Sequence, residues 1–302
     1  MSNTIYQQIK DEISKAYIGE NKTISALVTA FFAGGHVLLE GVPGLAKTTL
    51  AKALAETLDA DFRRIQFTMD LMPSDITGSN IYKMSDGEFK FIPGPIFTNV
   101  VLADEINRAS ARTQSALLEA MQENQVTVDG QTYKLERPFF VIATQNEADE
   151  RGTWPLPESE LDRFMFRIRL GYPSPKDEQR IIMLSSQPVP EIRTVVTLET
   201  FKQLRDEIQN VRTSENIAKY IADIIRQTRR DQDVTRGASP RAGATLLRAA
   251  RSCAYLNNRE FITPDDVREV APFVLNHRLI LRPDSPPVDE IIKRTLAKVA
   301  FS

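Results

Sequence analysis

The sequence contains almost no cysteine or histidine. Among its 302 residues, Cys253 is the single cysteine, and His36 and His277 are the only histidines. One cysteine cannot form an intramolecular disulfide, and within "LLRAARSCAYL" we expect Cys253 to pack as a small apolar side chain on a helix. With so few histidine and cysteine ligands, a dedicated catalytic zinc site is set aside. We expect His36, which opens an apolar run, to be structural.

A long apolar stretch is also missing. No run approaches the roughly 18 apolar residues of a membrane-spanning helix. The amino-terminal segment "MSNTIYQQIKDEISKAY" carries Ile5, Ile9 and Ile13 at helical spacing among polar residues, unlike the apolar centre of a signal peptide. The sequence therefore predicts no membrane span, and we expect a cytoplasmic protein.

Neither sign of charge is in large excess. The 38 basic and 40 acidic residues leave a net charge of −2, and the chain is 42% hydrophobic and 26% charged. This composition is that of a soluble globular protein. It lacks the positive excess that is typical of proteins binding nucleic acid phosphates, so nucleic acid is an unlikely partner by composition. The length corresponds to roughly two domains of ordinary size.

Strand-like and helix-like segments alternate up to about residue 171. Five apolar runs predict strands, namely "HVLLE", "FRRIQF", "NVVLADE", "PFFVIATQ" and "FMFRIRL". Helical spacing occurs in "KTTLAKALAETL" and "SARTQSALLEAMQEN". This alternation predicts an α/β fold in which helices cover a parallel sheet.

Only helical patterns follow the segment "GYPSPKDEQ". They lie near residues 176–186, 199–209, 214–231, 239–256, 264–276 and 287–299. We therefore expect a domain boundary at about residues 172–175, between an α/β core at 1–173 and a helical domain at 174–302.

The segment "HVLLEGVPGLAKTTLAKAL" contains a candidate phosphate-binding loop. Because the loop follows a strand and opens a helix, its N–H groups and the helix dipole would converge on anionic oxygens. Lys47 would reach the β and γ phosphates, and the hydroxyl of Thr48 would bind Mg²⁺. The residues predicted to bind nucleotide at this loop are Gly41, Val42, Pro43, Gly44, Leu45, Ala46, Lys47, Thr48 and Thr49.

Ala46 stands where the general phosphate-loop pattern has its second glycine. A methyl group has no cost there if the position already has helical dihedral angles, so Ala46 is tolerable on that condition. Gly44 is then the residue that we expect to need a positive φ.

The run "NVVLADEINR" ends in two adjacent acids. Asp104 and Glu105 follow a buried apolar strand, at the edge where open α/β sheets bind ligands. We expect Asp104 to hold Mg²⁺ through its water shell and Glu105 to orient and polarise the attacking water. Together with the loop, the acidic pair predicts nucleotide hydrolysis.

A third strand, "PFFVIATQNE", ends in the polar residues Thr144, Gln145 and Asn146. A side chain at this end could contact the γ phosphate and the attacking water from between the other two strands. Asn146 is the best candidate for that role.

Four motifs together resemble the MoxR family of AAA+ ATPases over essentially the whole chain. They are "GVPGLAKT", "LADEINRA", "ATQN" followed by "GTWPLPESELDRF", and "GASPRAGATLL". The resemblance implies an AAA+ core of three αβα layers, a C-terminal helical lid, ATP and Mg²⁺ as cofactors, and a homo-oligomer in the form of a hexameric ring. Ala46 is the normal residue in that family, whereas Glu147 departs from the proline that commonly follows the asparagine.

The resemblance also assigns roles to two arginines. It places the arginine finger, which reaches into the site of a neighbouring subunit, at Arg163 in "SELDRF". It places the second sensor, which acts within or near its own site, at Arg241 in "GASPR". A guanidinium suits both roles because it is permanently charged and meets negative charge developing on the γ phosphoryl group. Arg108, Arg112 and Arg151 remain alternatives for an interface contact.

Three more segments match parts of the family pattern. Tyr17, Ile18 and Gly19 resemble the segment that lies against adenine, with an ordinary helix end as the alternative. Hairpins are predicted at about 76–95, in "NIYKMSDGEFKFIPGP", and at about 125–135, in "VTVDGQTYKL". In position they resemble the helix 2 insert and the hairpin before sensor 1, which commonly face the pore or top of the ring. They are candidates for touching a client, and ordinary loop decoration is the alternative.

Three functions are compatible with these motifs. The first is a chaperone-like remodelling ATPase, which by family resemblance acts on a protein client with a partner carrying a von Willebrand factor A domain. The second is a nucleic acid motor, which the near-neutral charge and the acidic hairpin tips disfavour. The third is a nucleotide-gated binding module with little turnover, which the intact catalytic candidates Glu105, Asn146, Arg163 and Arg241 disfavour. We expect the first.

Overall fold

A computed structural model describes residues 2–85, 87–146, 153–184, 186–188 and 190–301. Glu147 and Arg151, both singled out in the sequence, lie outside these residues.

The described residues form helices and strands with the following bounds. The helices are α1 Ser2–Ala16, α2 Asn21–Phe32, α3 Lys47–Thr57, α4 Pro73–Thr77, α5 Ala111–Glu123, α6 Glu158–Leu161, α7 Pro175–Leu184, α8 Leu198–Gln209, α9 Glu215–Arg230, α10 Pro240–Leu256, α11 Pro264–Leu275 and α12 Val288–Lys298. The strands are β1 Val37–Glu40, β2 Phe62–Gln66, β3 Gly78–Lys83, β4 Glu88–Pro93, β5 Val100–Asp104, β6 Gln125–Val128, β7 Gln131–Lys134, β8 Phe140–Gln145, β9 Phe166–Arg169, β10 Val234–Arg236 and β11 Ile280–Leu281. A 3-10 turn spans Ile106–Arg108.

Five parallel strands form the central sheet in the order β2-β5-β8-β1-β9. They are the five apolar runs of the sequence, so the predicted parallel α/β sheet is confirmed. Because β8 lies between β1 and β5, the carboxyl ends of these three strands meet at one edge of the sheet. That edge is where open α/β sheets bind ligands.

Successive residues of β1 face two different apolar cores. Val37 and Leu39 belong to the core that includes α1 and α2, whereas Leu38 belongs to the core that includes Leu117 and Leu118 of α5. This two-residue period is that of a strand buried on both faces. The sheet is therefore the middle layer of three, with helices above and below it.

His36 has the structural role that the sequence predicts. The Val141 N–H donates to Nδ1 of His36 at 3.0 Å, and Nε2 lies 3.0 Å from the carbonyl oxygen of Met121. Since Val141 occupies one ring nitrogen as a donor, the other ring nitrogen donates to Met121. Burial lowers the pKa of His36 to about 4, so the ring is neutral near pH 7.

The C-terminal region packs against the same side of the sheet as α2. The ring of Phe201 in α8 lies 4.5 Å from Phe31 and 5.2 Å from Phe32, measured between centroids. Cys253 is buried in α10, as expected. The region also contains the antiparallel pair β10–β11, which the sequence did not indicate because strands of three and two residues carry too little periodicity.

Two hairpins extend the core at the positions expected from the sequence. β3 pairs with β4, and β6 pairs with β7, both antiparallel. At the β6–β7 turn, Asp129 and Gly130 both have positive φ, 49° and 80°, which matches the twist of the strands they connect. The rings of Phe91 and Tyr133 stack at 3.8 Å between centroids, so the two hairpins contact each other.

Candidate nucleotide site

The phosphate loop connects β1 to α3 and has three residues with positive φ, namely Gly41, Gly44 and Ala46. Gly44 has φ 88°, the positive φ that the sequence predicts. A Cβ at this position would meet no atom within 4 Å. Ala46 has φ 52° and ψ 30°, so the condition under which its methyl group would have no cost, right-handed helical dihedral angles, is not met. The loop must reverse direction before its helix begins, and Ala46 makes that reversal at some conformational cost.

The first turn of α3 is open to a ligand. Among the described residues, no side chain accepts a hydrogen bond from the N–H groups of this turn. Such groups carry the positive end of the helix dipole and bind anions well. The cradle therefore fits a phosphate chain.

Lys47, the first residue of α3, points back into this cradle. Its Nζ donates to the Gly41 carbonyl at 2.8 Å and to Oδ1 of Asn146 at 2.7 Å. Burial lowers the pKa of Lys47, and nearby carboxylates, Asp104 foremost, oppose that shift. The hydrogen-bonding partners of the ammonium are thus neutral oxygens, which an anionic phosphate could replace.

Asp104 is buried at the end of β5 and fully engaged by hydrogen bonds. The Thr144 hydroxyl donates to Oδ1 at 2.5 Å. Arg64, on the adjacent strand β2, donates to Oδ2 from Nε at 3.0 Å and from Nη2 at 2.7 Å. The carboxylate is held in one orientation by groups from both neighbouring strands.

Glu105 follows in a left-handed conformation, with φ 57°. The turn carries its side chain toward β8, where Asn146 Nδ2 donates to Oε1 at 3.1 Å. Gln66 Nε2 donates to Oε2 at 3.0 Å, and Arg108 Nε lies 3.0 Å from the same oxygen. Asn146 thereby bridges Lys47 and Glu105, and the structure brings together the loop, the acidic pair and the polar end of β8.

A cavity of about 760 Å³ lies beside the phosphate loop. The segment Tyr17–Gly19 lines one side, Pro43–Ala46 lines another, and Ile181 and Ile182 of α7 complete it. The apolar lining and the position next to the cradle fit a nucleoside base. The expected adenine segment is therefore at a suitable place.

Arg163 lies at the opposite end of the sheet from the phosphate loop. It precedes β9, whose first residue Phe166 pairs with Val37 at the start of β1. The phosphate loop, in contrast, follows the last residue of β1. This placement keeps Arg163 away from the pocket of its own chain.

Arg241, in the first turn of α10, lies near Arg163. Its Nη1 is 3.7 Å from Oδ2 of Asp162, and its side chain is 60% exposed. Arg241 thus lies beside the segment that carries Arg163, at the amino end of β9, and its role within or near its own pocket stays a prediction. Of the alternatives, Arg108 pairs with Glu105 inside the site, and Arg112 is exposed on α5.

Comparison with known proteins identifies the family. A family model for the ATPase family associated with various cellular activities (AAA) matches residues 36–166, and a model for the AAA lid domain matches residues 226–295. The Mycobacterium tuberculosis (strain ATCC 25618 / H37Rv) protein named Chaperone MoxR1 is 40% identical over 96% of this chain and 80% of its own length.

This chain belongs to the MoxR family of AAA ATPases. Protein YeaC of Bacillus subtilis (strain 168) is 48% identical over 91% of this chain and 87% of its own. A crystal structure of a candidate ATPase from Cytophaga hutchinsonii ATCC 33406 matches with a TM-score of 0.92 and 40% identity, covering 100% of this chain and 96% of that one. These similarities confirm the AAA core followed by a helical lid.

The oxygen ligands that Mg²⁺ prefers are present in this MoxR-family site. Thr48 lies at the start of α3, the helix that follows β1. Asp104 ends β5, which is two strands from β1 in the sheet. A hydroxyl and a carboxylate are hard oxygen donors, which suit Mg²⁺ when substrate phosphates and water complete its shell. No described helix of the MoxR-family chain is long and apolar enough to cross a membrane.

Two residues of the site were missed in the sequence. Arg64 and Gln66 lie on β2 and hold Asp104 and Glu105, respectively. The polar residues in the run "FRRIQF" were a possible signal. They indicate site residues only if β2 is known to lie beside β5, where Gln66 is opposite Asp104. The contacts of Arg64 and Gln66 with the acidic pair therefore depend on the strand order of this MoxR-family sheet.

Proposed function

We propose that this MoxR-family chain binds ATP with Mg²⁺ at the phosphate loop and hydrolyses it. The observation that carries the proposal is the hydrogen-bonded series Lys47–Asn146–Glu105, which joins the cation of the loop to the carboxylate beside it. A phosphate-binding cation and a water-orienting base are the two groups that phosphoryl transfer to water needs close together.

Each residue of the series, and each of the two proposed Mg²⁺ ligands, has one proposed task. Lys47 binds the β and γ phosphate oxygens in place of its present neutral partners. Thr48 and Asp104 would hold Mg²⁺, which would neutralise negative charge on the phosphate oxygens. Glu105 would orient water for attack on the γ phosphorus. Asn146 lies between Lys47 and Glu105, from where it could contact both the phosphate and the water.

The hydrogen bonds of Glu105 also describe a resting state. Both carboxylate oxygens already accept hydrogen bonds, from Asn146 and Gln66, and Arg108 lies beside one of them. Each carboxylate oxygen can accept more than one hydrogen bond, so the attacking water can join these donors or replace one of them in an exchange. We propose that ATP binding causes this exchange, because γ phosphate would take Lys47 and Asn146 as partners.

The two arginines support a site shared between subunits. Arg163 and Arg241 both lie at the amino end of β9, far along the sheet from their own phosphate loop. Positive charge must nevertheless meet the γ phosphoryl group during transfer. We propose that a homo-oligomeric, hexameric ring brings these arginines to the pocket of the adjacent subunit.

The work driven by hydrolysis is proposed from the relatives. The Mycobacterium tuberculosis relative is named a chaperone. We propose that this chain likewise remodels or matures a protein client, together with a partner that carries a von Willebrand factor A domain. The β3–β4 hairpin, with Tyr82, Met84 and Phe89 exposed, is a candidate for touching the client.

Replacement of Glu105 tests the hydrolytic role. Glu105→Gln keeps the shape of the side chain but cannot take a proton from water, so turnover should fall by about 10²–10⁴-fold while ATP binding is retained. Phosphate release and fluorescent nucleotide titration measure the two effects. Glu119→Gln, on the exposed face of α5, is the matched control and should behave as wild type.

Two results would contradict the proposal. Rapid phosphate release by Glu105→Gln would remove Glu105 from its role. A wild-type protein that binds ATP tightly yet turns over as slowly as Glu105→Gln would instead favour a nucleotide-gated binding module.

A further inference from the structure

Three consecutive residues after α11 bind the backbone of the segment that carries Arg163. We call Asn276–Arg278 the lid clamp, since it lies within the part of the chain that matches the AAA lid domain. Apart from one contact between Asn276 and His277 themselves, its side-chain hydrogen bonds go to residues between Asp162 and Arg167 or to the end of α11. None of these contacts is needed to form the phosphate pocket.

Arg278 makes most of the contacts. Its Nε donates to Oδ1 of Asp162 at 2.6 Å, and its Nη2 donates to the carbonyls of Asp162 at 3.1 Å and Phe164 at 2.7 Å. Its Nη1 donates to the Met165 carbonyl at 3.2 Å and also to Val274. The side chain is 4% exposed, so this fork is buried.

The other two residues extend the clamp along the same segment. Nε2 of His277 lies 3.0 Å from the Phe164 carbonyl oxygen, and Asn276 Nδ2 donates to the Arg167 carbonyl at 2.9 Å. Both residues are buried. The backbone is therefore held from Asp162, the residue before Arg163, to Arg167, the second residue of β9.

Arg163 lies inside this fixed segment but is not itself bound by the clamp. Asp162 on one side and Phe164 on the other are both held by Arg278. A guanidinium that must reach another subunit needs a fixed base and a free tip, because a displacement of about 1 Å at a catalytic group can cost roughly 10²-fold in rate.

We infer that the lid clamp positions Arg163 for the pocket of the adjacent subunit, so that the lid of one subunit sets the activity of its neighbour. This inference rests on the proposed shared site. Arg278 is a positioning residue, and Lys at this position should not replace it, because one ammonium cannot supply the planar fork that reaches Asp162, Phe164 and Met165 at once.

Substitution of Arg278 gives the first measurement. Arg278→Ala and Arg278→Lys should both retain ATP binding and lose turnover by about 10–100-fold, since the pocket is intact and the finger is displaced. Arg294→Ala is the matched control. Arg294 also pairs with lid carboxylates, the buried Asp231 and the partly exposed Asp233, but it lies on α12, and none of its hydrogen bonds goes to the clamped segment.

Mixing experiments separate positioning from general damage. Arg278→Ala mixed with Lys47→Ala should recover ATPase activity, because a sound pocket then meets a sound finger. Arg278→Ala mixed with Arg163→Ala should not recover, because both variants lack a working finger. A variant with a damaged pocket would show the opposite pattern.

Folding is checked by thermal unfolding of each variant. If Arg278→Ala does not fold, Asp162→Asn takes its place, since it weakens the ion pair of 2.6 Å while the carbonyl contacts remain. Asp162→Asn should show the same pairing pattern with a smaller loss.

Two outcomes would overturn the inference. One is full turnover in a folded Arg278→Ala protein. The other is a loss of turnover that Arg163→Ala restores as well as Lys47→Ala does. Failure of the shared site is distinguishable, because the mixture of Arg163→Ala with Lys47→Ala, which leaves the clamp intact, would then stay inactive.

Discussion

The left-handed backbone of Ala46 has a cost that glycine at the same position would avoid. An L-residue with φ 52° brings its Cβ close to the following carbonyl, at roughly 1–2 kcal/mol. The methyl group nevertheless restricts the unfolded chain, which offsets part of that cost. Backbone strain at Ala46 therefore lowers the free energy of unfolding, and the restricted unfolded chain raises it.

Ala46→Gly should raise the free energy of unfolding by about 1 kcal/mol or less, because relief of strain exceeds the added entropy of the unfolded chain. ATP affinity should stay within a few fold of wild type. Urea denaturation and nucleotide titration measure these effects. Ala244→Gly, at an exposed position within α10, is the matched control and should destabilise by about 1 kcal/mol instead. Equal losses from both substitutions would mean that Ala46 is not strained.

The residues of the site differ in how far the sequence predicts them. Lys47, Asp104 and Glu105 follow from strand ends and turn chemistry, which are local. The contact of Gln66 with Glu105 could not be predicted, because it depends on which strand lies beside β5. The conformation of Ala46 could not be predicted either, since alanine has no intrinsic preference for positive φ.

The two hairpins act as one element because their aromatic rings meet. Phe91 of β4 stacks on Tyr133 of β7 with an interplanar angle of 15°, and Asn80 Nδ2 donates to Asp129 Oδ2 at 2.8 Å. These contacts join two insertions that are separate in the sequence. A client that displaced one hairpin would therefore also move the other.

A double-mutant cycle tests this connection. Phe91→Ala and Tyr133→Ala together should destabilise less than the sum of the single substitutions, with a coupling of about 0.5–1.5 kcal/mol. Phe89, on the same strand and face but 72% exposed, gives the control cycle with Tyr133, and its coupling should be close to zero. Denaturant unfolding provides all the free energies. Equal coupling in both cycles would contradict a specific stack.

At the scale of elements, the bounds were predictable and the arrangement was not. Each strand of the sheet agrees with an apolar run of the sequence, and α8 to α12 follow the predicted helical segments within about two residues. The position of β8 between β5 and β1 does not follow from periodicity, since the same runs could pair in other orders. The pair β10–β11 was missed because it is too short.

At the scale of the whole molecule, the two proposed halves of the catalytic site lie at opposite ends of the sheet. The phosphate loop and acidic pair lie at the carboxyl ends of β1 and β5, and Arg163 and Arg241 lie at the amino end of β9. The parallel pairing of β1 and β9 separates the arginines from the phosphate loop of their own chain along the strand direction. In the proposed head-to-tail ring, the two halves would meet at every interface.

Two single substitutions disable the two halves separately. Arg163→Ala should bind ATP normally and lose turnover by about 10³-fold or more, because the transition state loses its arginine. Lys47→Ala should fail to bind ATP, because the phosphates lose the cation of the loop, but its finger remains sound.

The ATPase activity of mixed rings measures the shared site most directly. When Arg163→Ala and Lys47→Ala subunits exchange, some interfaces combine the sound pocket of the first with the sound finger of the second, and activity should return in proportion to them. Lys47→Ala mixed with Glu105→Gln is the control, since both have damaged pockets and should remain inactive. Activity that stays at background across all ratios of the first mixture, with mixed assembly verified by mass, would contradict the shared site.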